Sequence, residues 1–345
     1  MGAKASPIGS SIVALAVLAC SPSAPSPREE RTAQTSAAIL AGSESPASDD
    51  AVVLLVWSPP GTTRVGICTA ALVAPRLLLT ARHCVSETDV DVGCAADGRA
   101  VIGGSIKENH APADLYVFAG KARPSLRAPL TPTAKVAEII DDGAKNLCDH
   151  DLALALLDRP IEGVPLASIR LDRPLTAGAR LTTIGWGVTS STLEPAVRQR
   201  RSGVVVTRVG PDPTSPVLTP NEILFGESIC LGDSGGPILD EVTGAIVGVV
   251  SRGGNGTDSE LDLASTCTAA TNLATKIPPF EPLITGAFAR AGAEPRREIV
   301  PEEDAGCRAA KRATGEGSPA RGGVWLVALL GAALAWRRRD MTVDR

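Results

Sequence analysis

A serine, a histidine and an aspartate in distinctive local settings could together carry out acyl transfer. Ser234 lies in a glycine-rich run at 230–237 that reads Cys-Leu-Gly-Asp-Ser-Gly-Gly-Pro, His83 follows an apolar strand-like run, and Asp151 opens another such run. A free serine hydroxyl is a weak nucleophile, so it needs an imidazole within hydrogen-bond reach to take its proton. That imidazole in turn needs an acid to hold it in the correct tautomer. These residue types therefore predict a nucleophile (Ser234), a general base (His83) and an orienting acid (Asp151).

The glycines around Ser234 fit the same chemistry. Gly232 allows a sharp backbone turn, so that its own N–H and the N–H of Ser234 can point at one spot. Two such donors form an oxyanion hole, and the loss of one donor costs about 3–4 kcal/mol of transition-state stabilisation. Gly235 and Gly236 keep side-chain bulk away from the attacking oxygen. We therefore predict that the N–H groups of Gly232 and Ser234 form the oxyanion hole.

Other titratable residues compete for the roles of base and acid. His150 adjoins Asp151 but lacks the strand and the neighbouring cysteine that surround His83, and His110 lies in a polar loop. The acid pair at 141–142 is a rival to Asp151. Because Asp151 opens an apolar run that would bury its carboxylate, Asp151 is the preferred acid and His83 the preferred base.

The elements that must position these residues are short strands. Hydrophobic residues make up 44% of the 345 residues and charged residues 21%, which is enough apolar material for a packed core. The aromatic fraction is only 3%, so this core must consist mainly of Val, Leu, Ile and Ala. Many short Val/Ile/Leu/Thr runs are interrupted by Gly and Pro, a pattern typical of an all-β sandwich or barrel.

Charge and cysteine content argue against several classes of protein. The net charge of −4 argues against a general nucleic-acid binder, because phosphate binding needs a concentrated basic surface. The 8 cysteines form no CxxC pair, and the 3 histidines lack zinc-site spacing to any of them, so we expect no metal site. Cysteines that are not metal ligands indicate an oxidising compartment.

In the order His, Asp, Ser, the segments resemble the signature of the trypsin/chymotrypsin family of serine proteases. The run 232–237 (Gly-Asp-Ser-Gly-Gly-Pro) matches the most specific motif of that family. The run 80–84 (Thr-Ala-Arg-His-Cys) matches its histidine motif except at Arg82, where the family usually has Ala, and 185–187 (Gly-Trp-Gly) resembles a further landmark. The resemblance covers roughly residues 39–290.

The resemblance implies an all-β fold of two antiparallel six-stranded β-barrels with the active site in the cleft between them. The first barrel would supply His83 and Asp151, and the second would supply Ser234, the oxyanion hole and the substrate pocket. The implied activity is that of a serine endopeptidase acting on protein or peptide substrates. This chemistry requires no cofactor.

The same resemblance implies a set of disulfides. Cys68 and Cys84 resemble the family pair that ties the histidine loop to the preceding strand, and Cys230 and Cys267 resemble the pair that braces the pocket. Cys94 and Cys148 are then left and are expected to pair with each other, clamping a loop near Asp151.

Zymogens of the family become active when cleavage frees an Ile-Val-Gly-Gly-like terminus that pairs with the acid before the nucleophile. The run 39–42 (Ile-Leu-Ala-Gly) is similar, and Asp233 is the matching acid. The resemblance therefore predicts cleavage after Ala38, with Ile39 and Asp233 as the activation pair. Because residue 38 is neither Lys nor Arg, a trypsin-like activator is not expected.

Substrate preference follows from residues near Ser234. Ser228 stands where trypsin-like enzymes carry an acid at the base of the pocket, so nothing would pair with a substrate Lys or Arg, and an apolar P1 residue is expected. Ser251 and Gly253 resemble the segment that pairs with the substrate backbone. Arg252 replaces an aromatic residue of that segment and predicts an altered neighbouring subsite that favours an acidic side chain.

The N-terminal region predicts export. Residues 1–20 outline a secretory signal sequence, and the run 17–20 (Val-Leu-Ala-Cys) also resembles a bacterial lipoprotein cleavage box that would place a lipid on Cys20. An ordinary signal peptide is the alternative. Residues 21–38 are rich in Ser, Pro and Ala and predict a disordered spacer or propeptide.

The C-terminal region predicts attachment to a membrane. Residues 291–322 are expected to form a linker that contains Cys307, and 323–345 combine a short apolar helix with an Arg-rich cytoplasmic tail. This arrangement resembles the sorting tails of myxobacterial surface proteins, with a plain single-span anchor as the alternative. We expect a monomer that lies outside the cytoplasm and is either secreted or anchored at a bacterial cell surface or outer membrane. The anchor would be the C-terminal helix or a lipid on Cys20 or Cys307.

Two other functions are compatible with these observations. A non-catalytic binding or adhesion protein could keep the protease fold, although such proteins usually lose a triad member. A regulatory protease could act on a single partner protein and be inert towards general peptides.

Overall fold

The computed structural model describes residues 39, 42–89, 91–127, 129–189, 194–257 and 262–301. The predicted signal sequence and spacer at 1–38, and the predicted tail from 302 onwards with Cys307, lie outside the described residues. The strands are, in chain order, β1 (Ser43–Glu44), β2 (Val52–Trp57), β3 (Gly66–Ala74), β4 (Leu77–Thr80), β5 (Ser86–Thr88), β6 (Val92–Cys94), β7 (Ala100–Gly103), β8 (Ile106–Asn109), β9 (Leu115–Phe118), β10 (Ala134–Ile140), β11 (Ala153–Leu157), β12 (Arg180–Gly185), β13 (Gln199–Val209), β14 (Glu222–Phe225), β15 (Pro237–Asp240), β16 (Ile246–Gly254) and β17 (Thr271–Lys276). The helical segments described are α1 (Glu281–Ala291) and the short 3₁₀ turns Ala47–Asp49, Arg82–Cys84, Pro112–Asp114, Leu263–Cys267 and Pro278–Phe280.

The first barrel closes in the order β10-β11-β4-β3-β2-β9. Its strands are almost continuous apolar runs, because one face fills the barrel while parts of the other face are covered by neighbouring elements. Leu77, Leu78 and Leu79 of β4 are all fully buried, and α1 packs across β4 and β11 with Ile284 and Phe288 in the shared core. The helix thus covers one side of the first barrel.

The second barrel contains β13-β12-β15-β16-β17-β14, and a further pairing of β13 with β14 closes it. The short strand β1 adds to β13 as an edge. Its core is again aliphatic around a single phenylalanine, with Leu181, Val206, Ile223 and Phe225 among its buried residues. The expected all-β fold of two closed six-stranded antiparallel barrels is therefore confirmed.

An insertion in the first barrel reaches towards the second. Between β4 and β9 the chain forms two small hairpins, β5 with β8 and β6 with β7. Cys94 at the end of β6 is bonded to Cys148, just before the start of β11. The N–H of Ala96 donates to the carbonyl of Pro216 at 3.0 Å, so the insertion touches the loop between β13 and β14 of the second barrel.

The packed chain continues beyond residue 290, where the linker was expected to begin. The N–H of Ile169 donates to the carbonyl of Arg296 at 2.8 Å, and the N–H of Glu298 donates to the carbonyl of Ile169 at 3.0 Å. The carboxylate of Glu298 also binds the buried guanidinium of Arg170, with Oε2 accepting from Nε at 2.8 Å. Residues 296–298 are therefore attached to the segment between β11 and β12, which connects the two barrels.

Candidate active site

The strand pair β4–β11 brings His83 and Asp151 together. These strands are antiparallel, and Thr80 at the end of β4 lies opposite Ala153 at the start of β11. The residues just after β4 and just before β11 are therefore neighbours, although they are 68 positions apart. The Nδ1 atom of His83 lies 2.8 Å from Oδ2 of Asp151, and the backbone N–H of His83 donates to Oδ1 at 3.0 Å.

The carboxylate of Asp151 is enclosed and fully bonded. It is 2% exposed, and the hydroxyl of Ser251 donates to Oδ2 at 2.6 Å. Burial by itself would raise the pKa of Asp151, but the charge of His83 and the hydrogen bonds from His83 and Ser251 outweigh burial and lower it. For His83, burial lowers the pKa, but the attraction and hydrogen bond of Asp151 outweigh it, so the pKa is raised overall. Asp151 is thus placed to fix Nδ1 as the protonated nitrogen.

The structure separates the competing titratable residues from this pair. Asp142 contacts His150, with Nδ1 and Oδ2 2.6 Å apart, and this contact raises the pKa of His150. Asp141 forms an ion pair at 3.2 Å with Arg82, the residue at which the histidine motif departs from the family. The side chain of His110, which the sequence places in a polar loop, is partly shielded from solvent. Its imidazole stacks on the indole of Trp57 at a centroid distance of 4.2 Å.

Ser234 sits on a tight turn in which the N–H groups of Gly232 and Ser234 take no part in the internal hydrogen bonds of the described residues. Gly232 has φ +100°, a conformation that favours glycine. The N–H of Asp233 donates back to Cys230, and the N–H of Thr69 donates to the carbonyl of Ser234 at 2.8 Å. Among the described residues no acceptor bonds the N–H of Gly232 or of Ser234, so both donors are available to a negatively charged oxygen.

The imidazole and hydroxyl face a common cleft. His83 and Ser234 both line the cavity on each side of the turn. Within the described residues, Nε2 of His83 lies 3.7 Å from the sulfur of Cys84, and no hydrogen bond joins it to the hydroxyl of Ser234. Catalytic hydrogen bonds of this kind are often long without substrate and shorten in the reacting complex.

Asp233 is buried under the Gly185-Trp186-Gly187 segment. Its carboxylate is 1% exposed and accepts the N–H groups of Gly187 at 2.7 Å and Cys230 at 2.9 Å. A Cβ atom at Gly187 would lie 2.3 Å from this carboxylate, so only glycine fits there. Burial raises the pKa of Asp233 to about 7.

The other half of the predicted activation pair, Ile39, is also buried, whereas Ala38, Leu40 and Ala41 lie outside the described residues. Ile39 adopts φ +39°, an unfavourable value for a β-branched side chain.

All the expected cysteine pairs are disulfides in the structure. These are Cys68–Cys84, Cys94–Cys148 and Cys230–Cys267. Cys68, Cys84 and His83 also place sulfur and nitrogen atoms within 4.8 Å of one another. Because these two sulfurs are bonded to each other, neither is available as the thiolate that a metal would need.

The cavity on one side of Ser234 has a volume of about 300 Å³ and is lined mainly by apolar groups. Ile229, Val250 and the disulfide between Cys230 and Cys267 form part of its wall, and Gly253 lies at the same wall. Ser228, expected at the base, is completely buried and does not line the cavity. Within the described part of the chain, its hydroxyl has no hydrogen-bond partner.

Asn272 is a pocket residue that sequence reasoning missed. It lies on β17 opposite Gly253 of β16 and is 1% exposed. Its Nδ2 donates to the carbonyl of Gly226 at 3.0 Å, and its Oδ1 is so close to Gly253 that a Cβ atom there would lie 2.0 Å away. The carboxamide thus spans the space between Gly226 and Gly253. The signal was weak, since a single Asn on a strand is unremarkable in sequence.

Two more contributors had no usable sequence signal. Thr69 joins the barrels at the site, because its hydroxyl donates to the carbonyl of Gly232 at 2.8 Å and accepts the N–H of Trp186 at 3.1 Å. Glu222 binds the guanidinium of Arg252, with Oε2 and Nη2 3.1 Å apart. Arg252 was expected to face acidic substrate side chains, but its terminal nitrogens are bonded to Glu222 instead.

A second cavity of about 430 Å³ lies on the opposite side of Ser234. Trp57, Ile67 and Leu231 are among its lining residues, together with His83 and Ser234. Ser234 and His83 thus border a cavity on each side.

Comparison with known proteins identifies relatives of this chain. The family model described as Trypsin matches residues 58–275. The chain is 26% identical to the trypsin of Saccharopolyspora erythraea over 234 residues, which covers 62% of this chain and 86% of the relative. It is 25% identical to the cercarial protease of Schistosoma mansoni over 202 residues, covering 56% of this chain and 72% of the relative.

Among solved structures, human heparin binding protein has a similar fold, with a TM-score of 0.51 and 22% identity. The likeness covers 74% of this chain and 98% of that protein.

Proposed function

Because this chain belongs to the trypsin family and is a serine endopeptidase, we propose that Ser234 is its nucleophile, His83 its general base and Asp151 the acid that orients the base. The observation that carries this assignment is the 2.8 Å contact between His83 and Asp151 at the edge of a cleft that Ser234 also lines. The competing acids at 141–142 are engaged elsewhere, with Arg82 and His150.

The reaction follows the acyl-enzyme course. The hydroxyl oxygen of Ser234 attacks the substrate carbonyl carbon as His83 Nε2 accepts the hydroxyl proton, and Asp151 stabilises the resulting imidazolium. The carbonyl oxygen becomes an oxyanion that accepts hydrogen bonds from the N–H groups of Gly232 and Ser234. The C–N bond then breaks, and His83 returns the proton to the departing amine. A water molecule then attacks the ester carbonyl carbon as His83 takes its proton. The C–O bond to Ser234 breaks, His83 returns the proton to the serine oxygen, and the free hydroxyl is restored.

A small apolar P1 side chain fits the pocket best. The walls contributed by Ile229 and Val250 offer no charge to a substrate Lys or Arg, and an unpaired buried charge is costly. Asn272 lines the cavity close to Gly253, whereas Ser228 is buried and does not line it, which supports a shallow pocket. Ser251 and Gly253 border the same cavity, where the substrate backbone would lie.

Labelling with a fluorophosphonate probe tests the catalytic assignment. Such probes react only with an activated serine, so the chain expressed from Ile39 should be labelled at Ser234, as located by mass spectrometry. Ser234→Ala should abolish labelling, and His83→Ala should reduce its rate by at least about 10⁴-fold, since the base no longer takes the proton.

A matched control is His150→Ala, which removes a histidine paired to an acid away from Ser234. This variant should label at the wild-type rate. If folded protein with intact disulfides and a free Ile39 amine is not labelled, the assignment is wrong and a non-catalytic binding protein becomes the better interpretation.

Activation by cleavage after Ala38 agrees with the state of Asp233. This carboxylate is buried with two N–H donors, and no side-chain cation is bonded to it among the described residues. A free ammonium at Ile39 would supply the missing charge. The pairing would order the turn that carries the oxyanion donors.

Export to the cell surface is part of the proposal. Disulfides persist mainly in oxidising compartments, and the described residues contain three of them. No helix of the described residues has the length and apolar character to cross a membrane, and the proposed anchor at 323–345 and lipid sites Cys20 and Cys307 lie outside those residues. Protease shaving of intact bacterial cells should release the domain; retention in the cytoplasm would contradict export.

A further inference from the structure

The guanidinium of Arg252 is fixed at the edge of the active-site cleft. Both of its terminal nitrogens bind the carboxylate of Glu222, with Nη1 on Oε1 and Nη2 3.1 Å from Oε2. The side chain of Glu222 is 1% exposed, and its Oε2 also accepts the N–H of Thr219 at 3.2 Å. Arg252 itself is 18% exposed and lines the cavity together with His83. Its charge therefore has a defined place beside the reacting groups.

A chain of hydrogen bonds connects this charge to the triad. Nη1 of Arg252 lies 3.4 Å from the hydroxyl of Ser251, and that hydroxyl donates to Oδ2 of Asp151 at 2.6 Å. The same Oδ2 contacts Nδ1 of His83. The guanidinium is thus two contacts away from the carboxylate that orients the base.

Several charges surround His83, and they act in opposite directions. Asp151 stabilises the imidazolium, whereas the positive charge of Arg252 disfavours it. Asp89 lines the cavity from the inserted hairpins, and Glu194 lines the cavity on the opposite side. Of these groups, Arg252 is the positive charge that acts on His83. It lowers the pKa of His83, whereas the charge and hydrogen bond of Asp151 raise it.

We propose that Arg252, anchored by Glu222, is a positioning residue whose fixed positive charge keeps His83 unprotonated, and therefore able to act as a base, at lower pH than Asp151 alone would allow. The proposal rests on the function proposed above for His83. Glu222 has a double role in it, because it holds the guanidinium in place and also offsets part of its charge.

This role explains why an acid occupies a buried position facing Arg252. A guanidinium meant for a substrate carboxylate would present its fork to the cleft, since a bidentate contact is its strongest mode of recognition. Here both terminal nitrogens are bonded to Glu222, which is fully enclosed. The pair is built into the wall and acts on neighbouring groups through its field.

The test follows the titration of the His83 imidazole by NMR in ¹⁵N-histidine-labelled protein. The Ser234→Ala chain is used, so that the protein does not digest itself. Removing a positive charge favours the imidazolium, so Arg252→Gln should raise the midpoint of the His83 titration by about half a pH unit. Glu222→Gln exposes His83 to the uncompensated guanidinium and should lower the midpoint. A purely structural role would not move the two midpoints in opposite directions.

Two further variants serve as controls. Arg252→Lys keeps the charge and should leave the midpoint close to that of the parent. Arg180→Gln removes the same charge from an exposed pair with Glu241 and should leave the His83 titration unchanged. If Glu222→Gln does not fold, the comparison of Arg252→Gln with Arg252→Lys still decides the question.

In the active enzyme, the acidic limb of the kcat/KM profile should follow the NMR midpoint. At a pH well below that midpoint, Arg252→Gln should retain about one third of the wild-type kcat/KM, which corresponds to a shift of about half a unit. An unchanged or lowered midpoint in folded Arg252→Gln overturns the proposal. If the midpoint rises as expected but the wild-type chain hydrolyses no peptide, the role of Arg252 stands and the proposed catalytic function fails.

Discussion

At the residue scale, the proposed P1 preference depends on one side chain. Asn272 places its carboxamide between the carbonyl of Gly226 and the backbone of Gly253, where a larger P1 side chain would have to lie. The residue is enclosed and bonded, so it is not expected to swing aside for substrate.

We expect Asn272→Gly to open the pocket towards Ser228 and to shift the preferred P1 residue from Ala to Leu or Phe. Pocket volume discriminates by about 1–3 kcal/mol, so kcat/KM for a Phe substrate should rise at least about tenfold relative to an Ala substrate. A panel of peptides that differ only at P1 measures this, and the Ala peptide is the internal control. An unchanged order of preference would show that Asn272 does not limit the pocket.

At the scale of elements, the insertion between β4 and β9 shapes the cleft. Thr88 of β5, Val92 of β6 and Leu147 next to Cys148 line the cavity beside His83. The disulfide between Cys94 and Cys148 joins this insertion to the segment that leads into Asp151.

Replacing both cysteines, Cys94→Ser with Cys148→Ser, should loosen the insertion without dismantling the barrels. The loop that the bond closes has a separation of 54 residues, and in the chain-entropy model such a bond stabilises by about 4 kcal/mol. We expect a lower Tm and a raised KM for long peptides that extend along the insertion. A short ester substrate that occupies only the P1 pocket is the control and should keep its kcat. A Tm equal to that of the parent would contradict this account of the insertion.

At the scale of the whole molecule, the proposed activation would couple the N-terminal segment to Asp233 in the second half of the chain. In the uncut chain the pKa of Asp233 is raised to about 7, so its contribution to stability is present below its usual pKa and is lost as pH rises through about 7. Pairing with the Ile39 ammonium would lower the pKa of Asp233 below its usual value. The contribution of Asp233 to the free energy of unfolding would then be present at neutral pH and lost on acidification.

The cut protein should therefore have a higher Tm than the uncut protein at pH 7, and the difference should shrink towards pH 5. Thermal unfolding of both forms across this range measures the effect. N-terminal sequencing of the active form should begin at Ile39. The matched control is a chain with one extra residue before Ile39, which should melt like the uncut form and remain inactive. Full activity of that control would contradict the activation mechanism.

The enzyme class and the candidate site residues could be predicted from local sequence. The turn at 232–237 needs glycines next to a serine, and the apolar runs beside His83 and Asp151 predict buried strands. Short local motifs were therefore sufficient to identify the candidate residues and the elements around them. The resemblance of these motifs to one family implied the two barrels, which the topology confirms. The same resemblance implied the cysteine pairs that are present as disulfides.

Only the tertiary structure decided which distant residues meet. The register of Thr80 with Ala153 places His83 against Asp151, and adjacent strands bring Asn272 beside Gly253. Arg252 and Glu222 meet only because β17 lies between their strands, β16 and β14. Strand register and side-chain direction depend on packing between segments far apart in the chain, and no local pattern of residues encodes that contact. Sequence alone therefore predicted the class of reaction, whereas the place of Asn272 in the cavity wall and of Arg252 near His83 could be seen only in the fold.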